Sequence, residues 1–490
     1  MHFFDFAVIA AYLAGITWFG ARFRTAEKGL RAYFLGGREA PWWAIALSIV
    51  SAETSTLTIV GTPALAFAGN MGFLQLVLGY LLARILISAL FLPQYFRGEM
   101  FTAYELMRRR FGDRTRKLTA GIFLATRALA EGVRVFAISL VISIVLGTGE
   151  MASIVLIGAL TLFYTFEGGM TAVIWTDVVQ MCLYVTGAVL SLVVILKKIP
   201  GGWPHAAAVA ASAHKFAIFD FRFAPTMEFL ARPYTFWAGV AGGCFLTTAS
   251  HGTDQLMVQR LLSARNQRDS RLALLASWVL VAFQFTLFLL IGILLWVYYG
   301  GLGKAAPAAD RIYPTFLWNN LPPGLAGLAI AAILAAAMAN LSAALNSLSS
   351  TVVVDFLGGG ARADGERGAV RRARAATVAW AAALVGIAYA ARHSRSVLEA
   401  GLTIAAIPSG ALLGVFLLGV LTRRPGEWAA MAGVVAGLAA ALTVHFTTKV
   451  AFTWYVMIGA TVTFCGGLAA WWLGRAVARF RGCDDARSSR

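Results

Sequence analysis

Apolar runs long enough to cross a membrane recur along the whole of this sequence, and they constrain its fold more than any other feature. A run of about 18 residues spans the ~30 Å hydrocarbon core of a bilayer as a helix. Charged residues make up only 13% of the 490, against about 25% in an ordinary soluble domain. Because the runs are unbroken, they exclude a β-barrel, whose strands alternate over ~10 residues. We therefore predict an all-α membrane protein in which each span satisfies its own backbone hydrogen bonds.

The apolar runs predict about thirteen transmembrane helices, which places the two termini on opposite sides. They lie near 2–21, 42–69, 72–96, 118–146, 151–167, 170–196, 234–257, 271–299, 324–356, 373–392, 396–421, 427–447 and 452–474. With the N-terminus outside, the inner loops and tail hold 28 of the 41 Lys and Arg residues, and the outer segments hold 10. The positive-inside rule thus accounts for the net charge of +18 better than a nucleic-acid partner does.

This asymmetry predicts that the N-terminus lies outside and the C-terminus in the cytoplasm. We expect a protein integral to the cytoplasmic (inner) membrane of a bacterium. The first run lacks a basic leader and a small-residue cleavage site, so we expect a retained helix rather than a signal peptide. Three arginines, Arg84, Arg127 and Arg134, fall within spans.

The sequence contains none of the usual constellations of a soluble enzyme or a metal site. There is no glycine-rich phosphate loop, GxSxG or HExxH pattern, and the four cysteines show neither a pairing pattern nor metal-ligand spacing. We therefore expect no enzymatic activity, and an ion gradient as the source of energy.

The second span departs from the pattern of a structural membrane helix. Its middle carries a carboxylate, Glu53, among the hydroxyl residues Ser51, Thr54, Ser55, Thr56 and Thr58. Gly61 and Pro63 follow closely. Hydroxyls, a carboxylate and helix breakers at membrane depth predict an unwound segment that faces a cavity. Hydrogen bonding between helices by Ser and Thr is the alternative, but it needs neither Glu53 nor the Gly-x-Pro sequence.

A second interruption falls in the seventh span, where His251, Asp254 and Gln255 sit beside Gly252. Ionisable residues inside a membrane are functional by default, although Asp254 could equally cap the inner half-helix. Two broken helices five spans apart indicate an inverted-repeat transporter. The predicted division is a leading helix at 2–21, a first repeat at 42–196, an inverted second repeat at 234–421, trailing helices at 427–474 and a cytoplasmic tail at 475–490.

Polar residues in three further spans leave two interpretations open. Asn340 and Ser342 in the ninth span, with the serines that follow them, either allow close helix packing or offer oxygen ligands to a hard cation. Asp177 in the sixth span can neutralise a cation or pair with a basic residue. In the fourth span, Arg127, Glu131 and Arg134 share one helix face and can form a mutual ion network. The alternative is that Arg134 or Arg84 clamps an anionic group.

Five motifs in order resemble the sodium:solute symporter family over about residues 20–450. They are YFLGGREAPWWAIALSIVSAETSTLTIVGTPALAF at 33–67, RGEMFTAYELMRRRFGDRTRK at 97–117, EGGMTAVIWTDVVQ at 167–180, TDQLMVQRLLSA at 253–264 and NLSAALNSLSSTVVVDF at 340–356. The family includes carriers for sugars, sialic acid, proline, monocarboxylates, vitamins, pantothenate and iodide. The resemblance implies a leucine-transporter-type five-plus-five inverted repeat with one leading and two trailing helices.

The resemblance also implies Na⁺ as the coupling ion and assigns its ligands. The family's main sodium site falls on Ser51, Thr54, Ala336, Ala339 and Asn340. Many members have hydroxyl residues at the last two positions, whereas this chain has an alanine and an asparagine. A possible second ion site falls on Asp177 and Ser342.

Solute contacts are expected from the broken helices and their neighbours. The candidates are Glu53, Ser55, Thr56, Thr58, Gln75, Tyr80, Arg134, Ser250, Thr253 and Asp254. We predict a secondary active symporter for a small polar organic solute, either a carboxylate or sugar-like, with membrane lipid around it and no obligate protein partner. A proton-coupled symporter of the same fold, a transporter-like receptor and a channel are the alternatives.

Overall fold

The computed structural model of the chain describes residues 3–25, 30–146, 149–301, 306–307, 309–358, 365–391 and 397–488. Within these residues all named elements are helices, and the strand-type contacts are limited to one isolated bridge between Ala40 and Ala264. The α-helices are α1 (Phe3–Ala21), α2 (Leu30–Leu35), α3 (Trp42–Glu53), α4 (Thr56–Ala68), α5 (Leu74–Leu90), α6 (Leu92–Tyr95), α7 (Tyr104–Arg110), α8 (Asp113–Leu146), α9 (Glu150–Lys198), α10 (Gly202–Ser212), α11 (Met227–Leu230), α12 (Gly243–Gly252), α13 (Gln255–Leu262), α14 (Gln267–Gly301), α15 (Ala309–Asn320), α16 (Leu325–Thr351), α17 (Gly365–Ala391), α18 (Val397–Leu421), α19 (Glu427–Thr447) and α20 (Phe452–Ser488). Short 3₁₀ segments lie at Arg22–Thr25 and Gly36–Arg38, and π-helical turns lie at Ala238–Gly242 and Val352–Phe356.

Among the described residues, eight helical stretches are long and apolar enough to cross a membrane. A ninth forms if the bent pair Trp42–Glu53 and Thr58–Ala68 counts as one span. The predicted all-helical membrane architecture is therefore confirmed. The predicted number of thirteen crossings is larger than this and stays a prediction.

Several predicted boundaries differ from the structure, and three of the differences change how the chain is interpreted. The fifth and sixth predicted spans belong to one helical element, α9, which is interrupted at Gly169 by a left-handed backbone (φ 54°, ψ −151°). The seventh predicted span ended at residue 257, but α13 continues to Leu262 and so buries Arg260, a residue that the charge count had placed in an inner loop. The last predicted span ended at residue 474, but α20 continues through most of the predicted tail, to Ser488.

The predicted break in the second span is present. α3 ends at Glu53 because Thr54 (φ −81°, ψ 110°) and Ser55 (φ −107°, ψ 170°) have extended backbone, and the two half-helices are bent by 64°. Pro63 lies inside α4 rather than at the break. The unwinding therefore precedes the Gly-x-Pro sequence that helped to predict it. The backbone of this unwound segment is hydrogen-bonded locally, since the Ser55 amide donates to Thr58 Oγ1 at 3.3 Å.

The predicted break in the seventh span is also present. α12 ends at Gly252, and Asp254 has extended backbone (φ −82°, ψ 126°) before α13 begins. The Asp254 side chain accepts a hydrogen bond from the Leu256 amide at 2.9 Å, so it caps α13. The chain thus holds two short half-helix pairs where the sequence predicted them.

α16 lies at the centre of the helix packing. In its most apolar stretch 94% of the residues are buried, compared with 22% in α1 and 28% in α20. It packs most extensively against α9 and also contacts α8, α1 and α3. Polar residues on α16 therefore face protein rather than lipid, which is where intramembrane polar groups can act.

Candidate functional site

A cavity of about 290 Å³ lies between the two breaks. It is lined by both halves of each broken helix and by parts of α5, α8, α14 and α18. Eight of the predicted solute contacts line it: Glu53, Ser55, Thr58, Tyr80, Arg134, Ser250, Thr253 and Asp254. The side chain of Thr56 lies outside the described part of the structure. Aromatic rings of Phe73, Tyr234 and Phe285 complete the wall, so the cavity combines apolar surface with a few polar groups, as small-molecule sites do.

Gln75, another predicted solute contact, is buried outside the cavity lining. Its Nε2 donates to the carbonyl oxygens of Gly72 and Tyr234 at 3.1 and 3.0 Å, and its Oε1 accepts from the amide of Asp220 at 2.9 Å. Hydrogen bonds from Arg222 to the Asp220 carboxylate hold the pKa of Asp220 below its ordinary value. Gln75 therefore ties the start of α5 to the long segment between α10 and α11.

Glu53 forms a charged link between the two broken helices. Its Oε2 accepts from Arg84 Nη2 at 2.9 Å and lies 3.3 Å from His251 Nε2. Arg84 is completely buried, and its Nε donates to Ser277 Oγ at 3.0 Å. Ser250 Oγ lies 2.9 Å from the other ring nitrogen of His251. The charge of Arg84, a predicted anion clamp, is thus neutralised by Glu53 within the protein.

The ion network predicted on the fourth span is present and extends to the second break. Glu131, which is 1% exposed, pairs with both Arg127 and Arg134. Arg127 also pairs with Asp254, so Asp254 both caps α13 and neutralises a guanidinium. The cluster contains two arginines and two carboxylates. Arg134 is the more exposed arginine, at 26%, and its guanidinium is the one available to an anion in the cavity.

The possible second ion site is built around Asp177. Its Oδ2 accepts from Ser48 Oγ at 2.6 Å and from Arg260 Nη2 at 2.8 Å. Two contacts show that α9 and α16 run antiparallel here. A Cβ at Gly187 of α9 would stand 3.1 Å from Ala332 Cβ of α16, whereas Met170, earlier in α9, lies beside Asn346, later in α16. This register brings Asp177 level with the part of α16 that carries Ser342.

Three oxygen atoms, one each on α9, α16 and α3, have no hydrogen-bond partner among the described residues. They are Asp177 Oδ1, Ser342 Oγ and Ser51 Oγ. All three are buried. A buried polar atom without a partner is costly unless a water molecule or an ion satisfies it, and carboxylate and hydroxyl oxygens are the donors that a hard cation prefers.

The main predicted sodium site has a different arrangement. α16 is beside the first break, and Asn340 Nδ2 donates to the Ala52 carbonyl oxygen at 2.8 Å. Asn340 Oδ1 accepts from Arg134 Nη1 at 3.1 Å. Ala336 and Ala339 are fully buried and bring no side-chain oxygen. Both ends of the one polar side chain on α16 at this site are therefore engaged by the protein.

Several contributors to these sites were not predicted as site residues. α18 lines the cavity with Ala405, Ala406, Ser409 and Leu412. A signal was present, because Ser409 follows Pro408 inside an apolar run, the same combination that drew attention to the second span. The roles of His251 and Arg260 depend on Glu53 and Asp177, which lie in other spans, so the sequence alone could not reveal the pairings.

Comparison with known proteins adds a family and several relatives. The model of the sodium:solute symporter family matches residues 33–437. The sodium/sialic acid symporter SiaT of Proteus mirabilis is 28% identical over 96% of this chain and 95% of its own length. The human sodium/iodide cotransporter is 28% identical over 90% of this chain and 69% of its own. For the bovine sodium-coupled monocarboxylate transporter 2, the identity is 28%, over 89% of this chain and 71% of its own length.

Solved structures show the same fold. The structure of a Na⁺-coupled sialic acid symporter in a substrate-bound outward-open state has a TM-score of 0.87 and 27% identity, covering 96% of this chain and 98% of that one. Mhp1, a nucleobase-cation-symport-1 family transporter in a closed conformation, has a TM-score of 0.61 at 14% identity, with 90% and 94% covered.

Proposed function

The chain belongs to the sodium:solute symporter family, and from that premise we propose that it is a secondary active symporter that couples inward sodium flow to the uptake of a small organic carboxylate. Membership confirms the resemblance noted in the sequence. It also confirms the prediction of an integral membrane transporter rather than an enzyme.

The guanidinium of Arg134 at the wall of the 290 Å³ cavity is the observation that carries the choice of a carboxylate. A guanidinium binds a carboxylate through two parallel hydrogen bonds. The hydroxyl groups of Ser55, Thr58, Ser250 and Thr253 offer partners for the rest of a polar solute. The relatives named for sialic acid, monocarboxylates and iodide all carry anions, which favours an anion here over a neutral sugar.

For the coupling sodium ion, the second predicted site is the better fit. Asp177 Oδ1, Ser342 Oγ and Ser51 Oγ are hard oxygen donors without a partner among the described residues. Arg260 and Ser48 hold the other carboxylate oxygen of Asp177 and leave Oδ1 for the cation. The first predicted site does not fit, because the side chain of Asn340 is already bonded at both ends.

We further propose thirteen crossings in the bacterial inner membrane, with the N-terminus outside and two inverted repeats at 42–196 and 234–421. Solute and ion bind near the two breaks, and the repeats move against each other to expose the cavity to either side. Sodium binding stabilises the state that accepts solute from outside and thereby raises solute affinity. The positive-inside distribution of Lys and Arg supports this orientation. Two of the arginines counted as inner-loop cations, Arg116 and Arg260, are buried and paired with Asp355 and Asp177.

Reconstitution into liposomes tests the proposal. Uptake is measured for a panel of N-acetylneuraminic acid, lactate, iodide and glucose under an inward sodium gradient, with choline as the control cation. We expect a carboxylate to accumulate above its outside concentration only with the gradient, and Asp177→Asn to abolish sodium stimulation. Accumulation of glucose alone would overturn the carboxylate assignment, and equilibration without accumulation would indicate a channel.

Proton coupling is the second candidate, and the contact between Glu53 and His251 favours it. A carboxylate and an imidazole 3.3 Å apart beside the cavity form a pair that can hold or release a proton. Uptake driven by a pH gradient in sodium-free buffer, and lost in Glu53→Gln, would establish this alternative. Unchanged uptake in that variant would exclude it.

A further inference from the structure

We propose that the guanidinium of Arg134 takes the place of an ion between the first break and α16, so that this site carries an internal cation and binds no sodium. The inference rests on the proposed function for the existence of sodium coupling. It concerns the first of the two predicted ion sites, and it assigns the coupling ion to the other one.

The orientation of the Asn340 amide carries the first step. The Ala52 carbonyl oxygen can only accept a hydrogen bond and the Arg134 guanidinium can only donate. With the Ala52 oxygen 2.8 Å from Nδ2 and Arg134 Nη1 3.1 Å from Oδ1, the amide is fixed in one direction. Its oxygen therefore points at a guanidinium, and its nitrogen, which repels a cation, points at the broken helix.

The space beside Asn340 and the oxygen donors around it also argue against a sodium ion at this site. The void between Ser55, Glu131, Arg134 and Asn340 has a volume of about 10 Å³, which is near the lower limit for one water molecule. Ala339, where many family members have a hydroxyl, brings a methyl group. The carboxylate of Glu131 and the amide oxygen of Asn340, which line the void, are both engaged by Arg134. A sodium ion placed here would thus have to compete with a fixed positive charge for the same oxygens.

Glu131 makes the guanidinium a permanent part of the site. It is 1% exposed and pairs with Arg134 three residues along the same helix, which holds the arginine towards α16. The direct hydrogen bond from Asn340 to Ala52 then joins α16 to the broken helix, which is the connection that an ion between the same elements would make. Arg134 thus supplies the positive charge, and the hydrogen bond from Asn340 supplies the link between α16 and the broken helix.

The arrangement also connects this site to solute. Arg134 lines both the large cavity and the small void. A carboxylate that pairs with Arg134 competes with Asn340 for the same guanidinium. Solute binding therefore acts on the contact between α8 and α16, and through Asn340 on the end of α3.

Equilibrium binding of radioactive sodium to the purified full-length chain tests the inference. We expect one sodium ion per chain in the unmodified protein, none in Asp177→Asn and one in Asn340→Ala. Loss of a sodium ion in Asn340→Ala would overturn the inference. Absence of sodium binding in the unmodified protein would instead contradict the proposed sodium coupling, and the variant described next then decides the inference by itself.

A triple variant that removes the guanidinium and restores an ion site provides the second test of the inference. Arg134→Ala combined with Ala339→Ser and Asn340→Ser removes the guanidinium and restores two hydroxyls. We expect it to bind one sodium ion more than the unmodified protein, and this extra ion to persist when Asp177→Asn is added. A folded, monodisperse triple variant without the extra ion overturns the inference; if that variant does not fold, the Asn340→Ala result decides.

Discussion

The unwound residues of the two broken helices are stabilised by different chemistry, although Glu53 at the end of α3 also forms an ion pair with Arg84. At the first break the polar groups of the backbone are met by neutral partners, the Thr58 hydroxyl and the Asn340 amide. At the second break the cap is a carboxylate, Asp254, which also pairs with Arg127. Neutral hydrogen bonds are worth about 1 kcal/mol each, whereas removing one partner of a buried ion pair costs about 3–5 kcal/mol.

This difference indicates which half of the cavity moves more easily. The neutral contacts of the first break can be exchanged for contacts with solute or water at little cost. The charged contacts of the second break cannot be lost without burying an unpaired charge. We expect the second break to act as the anchored wall and the first as the adaptable one, and the following substitutions test that contrast by apparent unfolding temperature in detergent, used as a ranking because membrane proteins often unfold irreversibly.

The largest effect is expected from Asp254→Ala. The substitution removes the cap of α13 and leaves two guanidinium groups, those of Arg127 and Arg134, with Glu131 as their one shared carboxylate. One charge of the cluster is then unpaired, so we expect a loss of about 3–5 kcal/mol. The matched control is Glu228→Ala, because Glu228 pairs with Arg232 where both side chains are well exposed, at 77% and 43%, and such pairs contribute below about 1 kcal/mol. Equal shifts for the two variants would show that the second break is not anchored by charge.

Glu53→Gln should have the next largest effect, because it removes the carboxylate from the completely buried Arg84. Because glutamine keeps an oxygen that can accept from Arg84, we expect a loss of about 1.5–3 kcal/mol, the range for a hydrogen bond to a charged group. The double variant with Arg84→Gln tests the cause. If the ion pair matters, the double variant loses less than the sum of the two single losses. Additive losses would mean that Glu53 contributes to stability through a partner other than Arg84, such as His251.

Close glycine contacts hold each broken helix against an unbroken neighbour, and filling them should cost about 2 kcal/mol. A Cβ at Gly292 of α14 would stand 2.1 Å from the carbonyl oxygen of Pro63 in α4. At Gly79 of α5 it would stand 2.5 Å from the carbonyl oxygen of Val240, just before α12. The two alanine variants should therefore be destabilised alike.

Gly386 of α17 serves as the control for these glycine variants. A Cβ there would meet nothing within 4 Å, and alanine is the better helix former by about 1 kcal/mol. We expect Gly386→Ala to be neutral or slightly stabilised. Destabilisation of this variant to the same degree would indicate a general effect of glycine replacement rather than a packed contact.

The sequence predicted the two breaks well, because their signals are local. Glu53 among hydroxyl residues and Asp254 beside Gly252 contradict the composition of a lipid-facing helix within one or two turns. The same reasoning identified the ion network of the fourth span, since Arg127, Glu131 and Arg134 repeat at helical spacing. Fold class and family followed from such local patterns.

The sequence could not predict which charges neutralise one another across helices. Arg260 counted as a loop cation, yet it pairs with Asp177 from α9, and a one-turn extension of α13 separates the two interpretations. Gln75 appeared polar enough to face solute, but backbone groups of other segments engage its amide completely. Contacts of this kind depend on how helices pack, which the pattern within one helix does not specify.

The smallest effect is expected at the first break itself, from Thr58→Val. The change keeps the side-chain volume and removes the hydroxyl that accepts from the Ser55 amide, so we expect a loss of about 1 kcal/mol. Thr286→Val is the control, because that hydroxyl donates to the Ala282 carbonyl within an unbroken helix and such exposed changes stay within about 0.5 kcal/mol. A Thr58→Val loss as large as that of Asp254→Ala would contradict the contrast between the two breaks. A small loss, with solute affinity lowered more than stability, would show that the hydroxyl of the adaptable wall is exchanged between backbone and solute, as a neutral contact can be and a buried ion pair cannot.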